Sequence, residues 1–476
     1  MRKLFIGLLA LGAGCGEGLP GAPTSEAPTD DAALTARFSI DARRSIMITD
    51  RAVLDATRKI GDRRFSMRRV LDRLAKESGD PSLDALGLFR QMWDTQNPAP
   101  GYTGRGPHCD DTGLLINGQR LVCRPLDGAQ AKDESGAILD GYFPIAIVNR
   151  FDLASPDGRS CGEYRIVYAK GPQLPGRSLV IFEAALESPH PELGLAACAP
   201  VQKMWASLSD ADKTADERAA LLDEFYFEGL GDFPPVMRFA AFDRDGEIAG
   251  QIRTNTIMDK PWSLRELKLA QRCDGAACAM EMVPVSVKAN PVGRLFANDD
   301  STATAFQQEL ADNVERLAVR DLAAIGYARA DDSYNAAEST DDLNLDFSSW
   351  FAKEKCGLKG RLQARLDSLG SSLTPEHIIR RARTQSCMGC HQRTNNLDLG
   401  DGLVWPRSLG FVHVSETPEA GPEGARFPIS PALTNVLLPA RKQIIEEFLG
   451  MGAAAAAARA RRFEQGPKAT LSGAFH

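Results

Sequence analysis

The sequence predicts an α+β protein, in which a helical N-terminal segment and a β-rich, disulfide-bonded body precede a mainly helical C-terminal module. Three observations lead to this prediction. Between residues 101 and 300, short runs of β-branched and aromatic residues alternate with Gly, Pro and Asp turns. Before them, and again after Asn298, apolar residues recur at three- and four-residue steps, as they do on one face of a helix. The chain also contains ten cysteines, enough for several disulfides.

Residues 1–15 have the pattern of an export signal. Met1–Lys3 is basic, Leu4–Leu11 is apolar, and small residues precede Cys15. The apolar stretch is shorter than the ~20 residues that cross a bilayer as a helix. We therefore expect a lipoprotein-type signal peptide with lipidation at Cys15, and the alternative is ordinary secretion with Cys15 left as a thiol. Residues 16–36, rich in Gly, Pro, Ala, Ser and Thr, are predicted to form a flexible tether.

Residues 37–300 are predicted to contain the helical segment and the β-rich body. The helical pattern from Phe38 to about Asp94 is interrupted at Asp80-Pro81-Ser82, which predicts at least two helices. A further helix is expected between residues 209 and 225. The predicted strands cover residues 145–148, 164–168, 178–182, 236–242 and 250–255.

Charged residues lie within or beside these strands: Arg150, Asp152, Glu163, Arg165 and Glu183. Alternation of exposed and buried positions along a strand, together with internal ion pairs, accounts for most of them. A polar site at the edge of the sheet is the alternative interpretation.

Residues 301–476 are predicted to form the helical C-terminal module. Helices are expected at 304–325, 347–369 and 374–385, and a final helical stretch runs from Pro431 to Arg462. Thr374-Pro375 is a strong helix start, because Thr favours the N-cap position and Pro the first turn.

The cysteines predict a disulfide framework. Setting aside Cys15, Cys387 and Cys390 leaves seven, from which we expect three disulfides and one spare thiol. The expected pairs are Cys109–Cys123, Cys161–Cys198 and Cys273–Cys278, with Cys356 left over. If Cys356 instead pairs with Cys387 or Cys390, those two cysteines are structural.

One motif carries specific chemistry, the run Cys387-Met388-Gly389-Cys390-His391. In an exported protein, C-x-x-C-H is typical of a site where two thiols form thioethers to a haem and the adjacent imidazole binds the iron. Cys387 and Cys390 are therefore the predicted attachment residues of one covalent haem c, and His391 is the predicted proximal ligand of the iron.

The iron needs a sixth ligand or an open position. His413 follows His391 by 22 residues, among aromatic and aliphatic residues, and is the first candidate for the distal ligand. Met451 is the second and His377 the third, with an open or more distant site as the remaining possibility. Arg393 and Arg407 are candidates to pair with haem propionates.

Composition limits the partners. The net charge is −7, and becomes −9 once Arg2 and Lys3 leave with the signal peptide. This charge gives no reason to expect nucleic acid, and membrane contact is expected only through lipid on Cys15. The sequence contains no Gly-rich phosphate loop, G-x-S-x-G elbow or HExxH motif.

Cys387–His391 resembles a cytochrome c attachment site. More broadly, the stretches 145–153, 161–167 and 386–413 resemble uncharacterised exported lipoproteins of myxobacterial type. This resemblance implies that the cytochrome c-like module and the β-rich part belong together, and it implies no established activity. The single haem motif argues against kinship with di-haem peroxidases, which carry two.

We therefore expect an exported c-type cytochrome-like lipoprotein of the cell envelope, facing the periplasm or the cell surface, that transfers electrons to an unknown redox partner. An open sixth position would permit haem oxidoreductase or peroxidase-like chemistry instead. The alternative function is a non-enzymatic surface or periplasmic lipoprotein that binds a partner or glycan. In that case the motif cysteines lie in structural disulfides or a metal site.

Overall fold

The structure, a computed structural model, describes residues 39–59, 61–94, 115–121, 124–257, 262–274, 277–326, 332–341, 346–355 and 357–450. Several predicted features lie outside these residues: the signal peptide with Cys15, the tether, Cys109, Cys123, Cys356 and Met451.

Helices, two small hairpins and an edge strand of the main sheet make up the described chain before Tyr142. In order they are α1 (Ala42–Ser45), β1 (Met47–Ile48), α2 (Arg51–Leu54), β2 (Thr57–Lys59), β3 (Asp62–Arg63), α3 (Met67–Glu77), α4 (Ala85–Asp94), β4 (Leu115–Ile116), β5 (Gln119–Arg120), α5 (Pro125–Ala131) and α6 (Ala137–Asp140). The hydroxyl of Ser66 caps α3 by accepting a hydrogen bond from the Arg69 N–H at 3.3 Å. The predicted break at Asp80–Ser82 separates α3 from α4.

The central part of the chain supplies six longer strands and two helices. They are β6 (Tyr142–Arg150), β7 (Ser160–Lys170), β8 (Arg177–Glu187), α7 (Ala199–Ser207), α8 (Ala215–Phe227), β9 (Gln251–Ile257), β10 (Ser263–Asp274) and β11 (Ala277–Val285). The predicted strand at 236–242 is wrong, because Phe239–Ala241 is a turn of 3₁₀ helix. Val236, Met237 and Phe242 are buried although the segment forms no strand, and it meets β10 only at its end, where the Leu269 N–H donates to the carbonyl of Phe242.

The C-terminal part is mainly helical. It contains α9 (Ser301–Asp312), α10 (Val314–Leu317), β12 (Ser339–Thr340), α11 (Phe347–Phe351), α12 (Leu358–Ser368), α13 (Pro375–Thr384), β13 (Glu419–Gly421), β14 (Gly424–Arg426) and α14, which covers residues 431–450. Within α14, Leu433–Leu437 is a π-helical turn, a feature that often marks functional sites.

One antiparallel sheet of eight strands organises these elements. Its strand order is β1-β6-β7-β8-β9-β10-β11, and β12 pairs with the start of β10. The registers place Arg165 of β7 between Val148 of β6 and Glu183 of β8, and Arg253 of β9 between Ile181 of β8 and Glu266 of β10. Since directly paired residues share a face, these side chains all lie on one side of the sheet.

The two faces of the sheet differ in chemistry. One face carries Tyr164 and Phe182, which pack with α3, α4, α7 and α8 in the larger hydrophobic core. The opposite face carries charged side chains and is covered by segments from the C-terminal part of the chain.

The C-terminal part contributes to both cores. Residues between Trp262 and Trp405, including Cys387 and Cys390, form a second hydrophobic core. Residues between Val412 and Phe448 pack instead into the first core, beside the sheet. The ranges 37–300 and 301–476 remain predictions of domain organisation.

Two of the predicted disulfides are confirmed. Cys161–Cys198 joins β7 to the segment before α7, and Cys273–Cys278 closes the tip of the β10–β11 hairpin. None of the helices in the described ranges is both long enough and apolar enough to span a membrane.

Candidate haem-attachment site at a buried charged cavity

The motif follows directly from the end of α13. Thr374 caps this helix as predicted, since its hydroxyl accepts a hydrogen bond from the His377 N–H at 3.3 Å. The His377 ring returns the contact through Nδ1, which accepts from the Thr374 N–H at 3.2 Å. The His377 ring therefore forms part of the cap at the start of α13, and the motif lies beyond the opposite end of this helix.

Glycine is required at the centre of the motif. Met388–Cys390 forms a turn of 3₁₀ helix, in which the Gly389 N–H donates to the Ser386 hydroxyl at 3.0 Å. A Cβ atom added at Gly389 would stand 1.7 Å from the carbonyl oxygen of Arg383. The tight return of the chain after α13 therefore excludes any side chain at this position.

Cys387 and Cys390 are buried thiols and do not belong to a disulfide. Burial raises the pKa of each to about 12. Because the thiolate is the reactive and metal-binding form, both are protonated and chemically quiet at neutral pH in the folded chain.

His391 and His413 are brought together at the motif. Their ring centroids lie 4.7 Å apart, with the planes tilted by 32°. Nε2 of His413 is 3.3 Å from Sγ of Cys390, and Nδ1 of His413 is 2.8 Å from the hydroxyl of Ser430. The Ser430 N–H also donates to the carbonyl of His413 at 2.9 Å. The start of α14 thus fixes both the backbone and the ring of His413.

The environment keeps both imidazoles neutral. Burial and the neighbouring His413 lower the pKa of His391 well below its ordinary value, and burial and Arg441 lower that of His413 to about 4. Nδ1 of His391 is buried and has no hydrogen-bond partner among the described residues. A buried polar atom without a partner marks a place where a bound group or water completes the structure.

Aromatic rings flank His391. The ring of Trp262 lies 5.5 Å from the His391 ring and stacks on Phe411 at 5.3 Å. The indole N–H of Trp262 donates to Oδ1 of Asn255 on β9 at 2.6 Å. The motif is therefore attached to the charged face of the sheet.

Buried ion pairs cover that face. Arg165 pairs with Glu163 at 2.6 Å and with Glu183 at 2.8 Å, and Arg253 pairs with Glu183 at 3.2 Å and with Glu266 at 2.7 Å. All five side chains are less than one tenth exposed. Such charges are tolerated in an interior only when they are paired in this way.

A second group of ion pairs ties α14 to the sheet. Asp152 accepts from Arg150 at 2.8 Å and lies 3.5 Å from Nε of Arg441. Burial by itself would raise the pKa of Asp152, but the charges of Arg150 and Arg441 outweigh it, and the pKa is lowered overall. The carboxylate is therefore ionised at neutral pH between two arginines.

The motif and the charged face line a partly open cavity of about 110 Å³. Its lining includes Cys387, His391, His413 and the arginines 150, 165, 253 and 441. The predicted internal ion pairs of Arg150, Asp152, Glu163, Arg165 and Glu183 are confirmed, and they lie beside the motif rather than at an isolated edge. Arg393 pairs instead with Asp341, and Arg407 contacts Asn396 on the surface.

Sequence reasoning missed several residues of this site: Trp262, Arg253, Glu266 and Arg441. Arg253 and Glu266 belong to strands in which charged and apolar residues alternate, a pattern normally taken as solvent exposure. No local signal distinguishes a buried charged face from an exposed one.

The residue types at the motif are those of a covalent haem attachment site. The site provides two thiols separated by two residues, an adjacent imidazole, a second imidazole in contact with the first, and arginines for anionic groups. The cavity is smaller than the about 300–1,000 Å³ usual for cofactor sites. Across the described ranges, His, Cys, Asp and Glu side chains nowhere form a group of three or more arranged to hold a metal ion.

No protein-family model matches the chain, and no curated protein or solved structure is significantly similar to it. The function has to be argued from the site itself.

Proposed function

We propose that the chain is an exported, c-type cytochrome-like lipoprotein of the cell envelope, which carries one covalent haem and transfers electrons. The observation that carries the proposal is the cluster of Cys390, His391 and His413, with Nε2 of His413 3.3 Å from Sγ of Cys390. The sequence predicts His413 as the distal ligand, and its ring lies beside the motif although it follows His391 by 22 residues.

Each residue of the cluster has one role in this proposal. Cys387 and Cys390 would hold the haem through thioethers, and His391 and His413 would be the proximal and distal ligands of its iron. When bound, the haem supplies one-electron chemistry. The chain itself excludes water, since the motif is buried, and the paired charges of the sheet face set the electrostatic environment.

Export is supported by the two disulfides, because such bonds persist in oxidising compartments outside the cytoplasm. The same proposal includes lipidation of Cys15 and electron transfer to an unknown redox partner. In the alternative function, Cys387 and Cys390 lie in disulfides or bind a metal. Both are buried, protonated thiols outside any disulfide, which gives that alternative no support.

Burial of Cys387 and Cys390 also implies an order for haem attachment and folding. Cys387 lines a cavity of only about 110 Å³ and Cys390 is buried, which leaves no room for a porphyrin, so in this proposal attachment precedes the closing of residues 387–413 and α14 onto the sheet. We expect haem added to the folded apo-protein to stay unattached, and production with a c-type maturation system to load it.

Visible spectroscopy tests the proposal. Protein produced with the maturation system should show a sharp α-band on reduction, and Cys387→Ala/Cys390→Ala should lack it. Cys273→Ala/Cys278→Ala is the matched control, since it removes two cysteines at a distant hairpin tip. A colourless wild-type protein, or a motif variant that keeps the band, would refute the proposal.

The distal assignment is tested separately in the loaded protein. His413→Ala should change the spectrum from low-spin towards high-spin and open the iron to added ligands. His377→Ala should leave the spectrum unchanged, because this ring caps α13. An unchanged spectrum for His413→Ala would show that His413 is not the distal ligand, and would leave the proposed haem attachment standing.

A further inference from the structure

A second cavity, of about 430 Å³, lies at the end of the sheet where β7, β8 and β9 meet α5. It is separate from the motif, although the same strands β8 and β9 reach both. Its volume falls within the about 300–1,000 Å³ usual for sites that hold a small molecule.

The walls of this cavity are largely apolar. Ile138, Leu174, Pro175 and Ile257 contribute aliphatic surface, and the turn at Gly176 (φ +74°) forms one edge. An apolar lining of this kind favours the hydrocarbon part of a ligand.

Most polar groups at the cavity are already satisfied. Asp127 pairs with Arg124 at 2.7 Å and accepts from the hydroxyl of Thr256 at 3.2 Å. Gln130 Oε1 accepts from the Tyr142 hydroxyl at 2.7 Å, and Arg177 donates to Glu416 at 2.8 Å. The charges of the two ion pairs cancel.

Lys170 is the exception. It lies at the end of β7, is half-buried in the lining, and within the described ranges no carboxylate stands within 4 Å of its amino group. Burial lowers its pKa, and Asp127 opposes this effect only in part. Among the described residues, Lys170 therefore contributes a positive charge that has no ion-pair partner, beside mainly apolar walls.

We propose that this cavity binds a small organic monocarboxylate with an apolar body, whose carboxylate pairs with Lys170 and whose hydrocarbon part fills the space between Ile138, Leu174 and Ile257. The charge of Lys170 favours a monoanion, because among the described lining residues a second negative charge would meet no further unpaired cation. The inference is independent of haem and of the proposed electron transfer.

Isothermal titration calorimetry of the full chain with octanoate tests the proposal. Wild type should bind, and Lys170→Met, which keeps the length of the side chain without its charge, should weaken binding at least about tenfold. Lys170→Arg keeps the charge and should stay within about threefold of wild type. Octanamide, the neutral counterpart, should bind wild type at least about tenfold more weakly than octanoate.

Two results would overturn the proposal. Equal binding of octanoate and octanamide to wild type would show nonspecific apolar binding, and a complete failure of octanoate to bind would show that the cavity is not such a site. The comparison of the two probes needs no variant, so it decides the question even if Lys170→Met fails to fold.

Discussion

Single residues determine whether the motif can adopt its turn. Gly389 is the sharpest case, because an added Cβ would stand 1.7 Å from a backbone oxygen. Gly360, on the exposed side of α12, is its counterpart, since a Cβ added there meets open space.

We predict opposite effects of alanine at these two glycines. Gly389→Ala should lower the free energy of unfolding by about 2 kcal/mol or more, because the backbone of Arg383 has to move. Gly360→Ala should raise it by about 0.5–1 kcal/mol, because alanine favours the helix. Urea unfolding of the apo-protein measures both. Equal changes in the free energy of unfolding would mean that the turn at Gly389 accommodates a Cβ atom without a loss of stability.

The buried carboxylate of Asp152 makes a second prediction at this scale. Asp152→Asn leaves Arg150 and Arg441 without their counter-charge and should lower the free energy of unfolding at neutral pH by about 3–5 kcal/mol. The control is Asp157→Asn, whose partner Arg159 is solvent-exposed, and it should cost less than about 1 kcal/mol.

The pH dependence of this effect has a definite sign. Because the folded pKa of Asp152 is below its ordinary value of 3.8, its contribution to stability is fully present above that value and disappears as the pH falls through the folded pKa. The difference between wild type and Asp152→Asn should therefore shrink below about pH 4. A difference that stays constant from pH 7 to pH 3 would contradict the assigned ion pairs.

Among the helices and strands, those that depend on nearby residues could be predicted from the sequence. The break between α3 and α4, the cap at Thr374 and the strands β6 to β8 all follow from nearby residues. The β10–β11 hairpin was missed, because Arg265 and Glu266 interrupt its apolar pattern although both are buried. The strand at 236–242 was wrongly predicted, because β propensity reports burial as well as pairing.

The two confirmed disulfides should differ in their contribution to stability. Cys161 and Cys198 are 37 residues apart, and Cys273 and Cys278 are 5 apart. Since a cross-link restricts the unfolded chain more when its loop is longer, we expect removal of the first to cost about 4 kcal/mol and of the second about 2 kcal/mol. Urea midpoints of the two double alanine variants test this. A larger loss at the hairpin tip would contradict the entropic explanation.

At the scale of the whole molecule, the site depends on parts of the chain that are distant in sequence. Cys387, Cys390, His391 and His413 could be selected in advance, because a short motif and its neighbourhood point to them. Arg441 and the charges of β9 and β10 could not, because only the sheet register and the return of α14 bring them to the motif. One face of the sheet thus packs into a hydrophobic core, and the opposite face lines a charged cavity.

The central claim is that one haem is covalently attached through Cys387 and Cys390. The most direct test is the intact mass of the denatured protein, produced with a c-type maturation system, beside the Cys387→Ala/Cys390→Ala variant. If the haem is attached covalently, the wild-type chain carries the added mass of one haem after denaturation and the variant carries none. A wild-type mass equal to that of the polypeptide alone would contradict it.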